Sequence, residues 1–188
     1  DSRWVENRSV LQQLLSIYMV LSSNRLCGYV ESLPVALHPL FLTSPVIQSI
    51  PALFSKHFDI HPIVFGIISI CSNLAQSSTP SAHHSSLEEG RHFLKSIHIF
   101  DVIKPAIPIY GYDAILRQNA ILIVKGIVEA IFAPIFTLES CFDSIVQGGA
   151  SVILALLNCS LSNEASVELA LQTIRVICSW GCGDCVGE

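Results

Sequence analysis

A chain of 188 residues, 51% of them apolar and only 13% charged, holds enough material for one domain with a substantial core. Its formal net charge of −5 and ten thinly spread Lys and Arg leave no basic stripe, which argues against nucleic acid as a partner. A mean hydropathy of +0.57 raises the question of a membrane span, yet no stretch offers the ~20 uninterrupted apolar residues that a spanning helix needs. The apolar run at 120–136 contains Lys125, Glu129 and Pro134, and the run at 61–75 is too short and carries Ser and Asn.

In chain order, residues 9–23 place Val10, Leu11, Leu14, Leu15, Ile17, Tyr18 and Leu21 at spacings of 3, 4 and 7, which predicts an amphipathic helix. Asn24 and Gly28 fit its end. Between 31 and 63, prolines at 34, 39, 45, 51 and 62 cut the sequence into short apolar segments. Proline is accepted in a first helical turn and rejected from an interior, so these segments read as short helices and corners, 44–57 among them. Residues 61–76 form a nearly all-apolar helix in which Gly66 suits a close helix contact. The polar segment 77–86 (SSTPSAHHSS) reads as a mobile loop, after which Ser86 caps a helix with Glu88 and Glu89 in its first turn. That helix runs to about Ile97, and a short one follows at 99–106. Asp113 then caps a long helix at 114–133, striped by Leu116, Ala120, Ile123, Val124, Ile127 and Ile131. The last stretch, 140–180, reads as a short helix, a break at Gly148-Gly149, an apolar helix, a polar loop and a long helix ending near Cys178.

Seven cysteines, an odd number, lie at 27, 71, 141, 159, 178, 182 and 185. Several fall inside apolar helical patterns, where a free thiol behaves as a small hydrophobe. That favours a reducing, intracellular and cytoplasmic setting over a disulfide framework. The chain opens on Asp, without a basic segment leading into an apolar run, and reads as a piece of a larger protein with no targeting signal in view. The tail CSWGCGDC brings three cysteines together, one short of a structural zinc set, and 181–188 reads as a flexible terminus rather than a metal site. His83, His84, Glu88 and Glu89 are the densest polar group, and they too read as a loop leading into a helix.

Three pieces can be laid over one another, at 50–75, 98–133 and 150–179, each a short apolar helix followed by a long one. The long-helix ends ISICSNLA, GIVEAIFA and QTIRVICS begin 58 and 46 residues apart. With VQGGASVILALL and SNEASVELALQTIRVIC at 146–178 and ICSNLA at 70–75, the chain resembles the armadillo/HEAT family of α-solenoids. The resemblance implies an all-α, right-handed solenoid of about three to four irregular units, forming a single domain over 1–188. It also implies that the last helix of each unit lines a concave groove. On that reading Asn73 matches the asparagine that family members use to hold a peptide backbone, while the later helices carry Ile131 and Ile177 there. Gln76, Lys125, Glu129, Gln172 and Arg175 are the other candidate groove residues.

The function expected is a scaffold that presents a curved helical surface to a peptide or helical protein partner. Neighbouring repeats or self-association would cover the exposed ends, Leu11 and Leu14 at one and Val167, Leu171 and Ile174 at the other. Two other readings are a regulatory domain acting in cis on an attached enzyme such as a kinase, and a compact helical enzyme. No nucleophile elbow, phosphate loop or zinc-protease motif occurs, so no catalytic residue, metal or cofactor is assigned.

Overall fold

Prolines set the grain of this chain. In the computed structural model, which describes residues 3–22, 41–76, 84–131, 142–159 and 164–181, Pro45, Pro51, Pro62, Pro105 and Pro108 each stand in the first turn of a helix. There the missing N–H leaves no gap in the hydrogen-bond ladder. The helices are α1 (Arg8–Ser22), α2 (Pro45–Gln48), α3 (Ile50–His57), α4 (His61–Ala75), α5 (His84–Ser96), α6 (Ile99–Ile103), α7 (Ile107–Tyr110), α8 (Ala114–Ile131), α9 (Phe142–Cys159) and α10 (Glu164–Gly181). Short 3-10 turns lie at Arg3–Val5 and Lys104–Ala106, and no strand occurs among the described residues. Among those residues no helix is long and apolar enough to cross a membrane.

Local capping explains several starts. Asn7 Oδ1 accepts from the Val10 N–H at 3.2 Å and opens α1. Ser44 Oγ accepts from the Ile47 N–H at 3.4 Å and opens α2. Asp113 Oδ1 accepts from both Ile115 and Leu116 at 2.9 Å and opens α8, as the sequence predicts. The expected segment 44–57 is divided at Ser49, because Pro51 starts a fresh helix rather than continuing the old one. At the corner between α5 and α6 the chain turns through His98 in the left-handed region, φ 50° and ψ 52°, a conformation that histidine enters more readily than most residues.

Of the five described helices with fifteen or more residues, α1, α4, α8 and α10 lie in that order, each against the next. A second series runs beside them and ends on the equally long α9: α2 touches α3, α3 touches α6, and α6 and α7 touch α9. α5 packs against α4, α8 and α6, while α9 closes on α8 and α10. Buried side chains make one continuous cluster from Leu11 and Leu15 through Ile63, Ile67 and Ile70 to Val124, Val152 and Ala170. At roughly 25 cal/mol per Å² of apolar surface, this burial is the main stabilising term.

Glycines decide how closely the long helices approach. Gly90 and Gly126 flank the C-terminus of α4, where a Cβ on Gly126 would overlap the Ala75 carbonyl oxygen and one on Gly90 would stand 2.9 Å from the Leu74 oxygen. Arg91 Nε donates to the same Ala75 oxygen at 3.0 Å, so this buried helix end keeps a hydrogen-bond partner. Gly66 meets Leu15, with a hypothetical Cβ 3.1 Å from the leucine Cβ, and allows the close contact with α1 that the sequence suggests.

Three expectations are corrected. The Gly148-Gly149 break does not form, because α9 runs unbroken from Phe142 to Cys159. Both glycines serve a contact instead: a Cβ on Gly148 would lie 3.1 Å from Phe100 Cδ2, and one on Gly149 would lie 3.0 Å from Val124 Cγ1. Ser86 is not the cap of α5, since that helix already begins at His84 and takes the last residues of the expected loop. The rest of that loop, the tail beyond Gly181, and Cys27, Cys141, Cys182 and Cys185 lie outside the described residues. Finally, Leu11 is no end-cap residue. It is fully buried in the core, and the outward side of α1 carries Val10, Ile17, Val20 and Leu21. The wide apolar face covers more than half of the helix circumference, so periodicity alone does not tell which leucines point inward.

Candidate binding surface

The solvent side of the long-helix row is the candidate site, and its chemistry starts at the seams. At the α1–α4 seam, Asn73 Nδ2 donates to the Met19 carbonyl at 3.3 Å and to Ser22 Oγ at 2.9 Å. At the α4–α8 seam, Asn119 Nδ2 donates to Ser69 Oγ at 3.1 Å. Both asparagines thus tie one long helix to the one before it. Asn119 was not singled out by the sequence, since its partner is 50 residues away and no local pattern marks it.

The remaining candidate residues sit in separate pairs. Gln76, at the C-cap of α4, donates from Nε2 to Ser72 Oγ at 2.8 Å. Lys125 and Glu129 face each other one helical turn apart on α8, 3.8 Å between Nζ and Oε1. Gln172 Nε2 donates to Glu168 Oε1 at 3.3 Å on α10, and Arg175 lies exposed one turn further on. No hydrogen bond or ion pair among the described residues joins the α4, α8 and α10 members to one another. Such half-exposed i,i+4 contacts contribute a few tenths of a kcal/mol at most. They leave this surface polar but uncommitted.

Between α1 and α4 the row opens into a shallow groove of about 310 Å³, lined by Leu15, Ser16, Met19, His61, Pro62, Phe65 and Gly66. The absent side chain of Gly66 helps to form it. His61 stands at its end, with Nε2 3.0 Å from Asp113 Oδ2, its ring edge-on to Tyr110 at 5.2 Å and loosely stacked on Phe65 at 6.1 Å. Asp113 therefore does two tasks, capping α8 through Oδ1 and holding the first residue of α4 through Oδ2. Burial pushes its carboxyl upward, but the Leu116 amide, the His61 side chain and the Ile115 amide outweigh that and hold it below the usual aspartate range. Tyr110 is raised, first by burial and then by the negative charge of Asp59. Sequence reading found Asp113 as a cap and missed His61, whose partner is 52 residues distant.

Among the described residues no group of three or more His, Cys, Asp or Glu is arranged to hold a metal ion. Cys71 is fully buried, desolvation pushes its thiol up to about 12, and it packs as a small hydrophobe. No family model, curated protein or solved structure matches this chain.

Proposed function

We propose that the chain is one domain of armadillo/HEAT-like α-solenoid character, and that it scaffolds protein–protein interactions through the solvent side of its long-helix row. The observation that carries this reading is the packing order α1, α4, α8, α10, with α2, α3, α6 and α9 touching one another in that order beside them. Stacked units of this kind bury both sides of each long helix and leave one edge of every unit facing a shared surface. The polar candidates Gln76, Lys125, Glu129 and Gln172 make weak contacts one turn away on their own helices, Arg175 lies exposed, and those contacts exchange for a partner's at small cost. The α1–α4 groove, with its apolar floor and His61 at one end, suits an apolar anchor of a peptide or helix. The described cysteines, Cys71, Cys159 and Cys178, are free thiols, which supports an intracellular setting.

Site-specific photocrosslinking in the protein's own cells tests the assignment. A benzophenone side chain at Gln172 or Lys125 is expected to capture one discrete protein adduct. The same group at Leu154, exposed on α9, is expected to give none. Equal capture from Leu154, or none from either row position, contradicts the assignment of the surface.

A further inference from the structure

We draw no further inference here: the strongest candidate, the outward face of α1 where Val10, Ile17 and Leu21 are exposed, is an apolar surface with nothing in the structure to show what covers it.

Discussion

Gly126 is the residue on which the packing of α4 against α8 turns. In a free helix, replacing glycine by alanine gains up to about 1 kcal/mol. Here the new methyl meets the Ala75 carbonyl, a backbone atom at a helix end also held by Arg91. Backbone cannot rotate aside as a side chain can, so overpacking outweighs propensity. Gly126→Ala is expected to lose about 1–3 kcal/mol, read as a lower urea midpoint at unchanged slope. Gly148→Ala meets only the Phe100 ring edge at 3.1 Å and is expected to cost clearly less. A stabilised Gly126→Ala protein contradicts the close approach.

Asp113 carries the pH dependence at this scale. Its folded-state pKa lies below the unfolded one, so its contribution is fully present above about pH 4 and is lost as the pH falls through the lowered value. Asp113→Asn keeps a capping oxygen and removes the charge. At neutral pH this variant is expected to be less stable by about 0.3–1 kcal/mol, the range for a charge at a helix N-terminus. Chemical denaturation at stepped pH should show the gap closing below pH 4. A gap that widens on acidification contradicts the direction of the shift.

Among the elements, α1 leans chiefly on α4 and the Arg3–Val5 turn, whereas α4 and α8 are each flanked by several helices. Asn73 pins its C-terminal turn through Met19 and Ser22. Asn73→Ala leaves that end without its side-chain donor and is expected to cost about 1 kcal/mol. Hydrogen exchange should quicken in α1 first, with α8 unchanged. Uniform acceleration along the chain contradicts a local tie.

Elements were legible in the sequence wherever their cause is local. Prolines mark first turns, Asp113 marks a cap, the 3-and-4 spacing marks α1, a nearly all-apolar run marks α4 and an apolar stripe marks α8. Gly148-Gly149 misled because glycine's cost to a helix is also local, while what sustains α9 there is contact with Phe100 and Val124. The candidate surface was legible only as residue types. The amides of Asn73 and Asn119 and the His61–Asp113 pair reach partners 50 to 54 residues away, and such pairings depend on the order in which helices stack. That order is not written in any short pattern.

For the whole molecule, the proposed function rests on that order. On the proposed reading, the order α1, α4, α8, α10 forms one continuous face on which seams, groove and polar residues meet a single partner. The glycine contacts report the order directly, since their α-protons lie against specific neighbours in the preceding or following helix. Long-range nuclear Overhauser effects in the intact 188-residue chain are therefore the most direct measurement. The account predicts cross-peaks from Gly66 to Leu15, from Gly126 to Ala75 and from Gly149 to Val124, the contacts that bring α4 to α1, α8 to α4 and α9 to α8. Glycine α-protons that see only residues of their own helix would contradict the stacked row and, with it, the proposed binding surface.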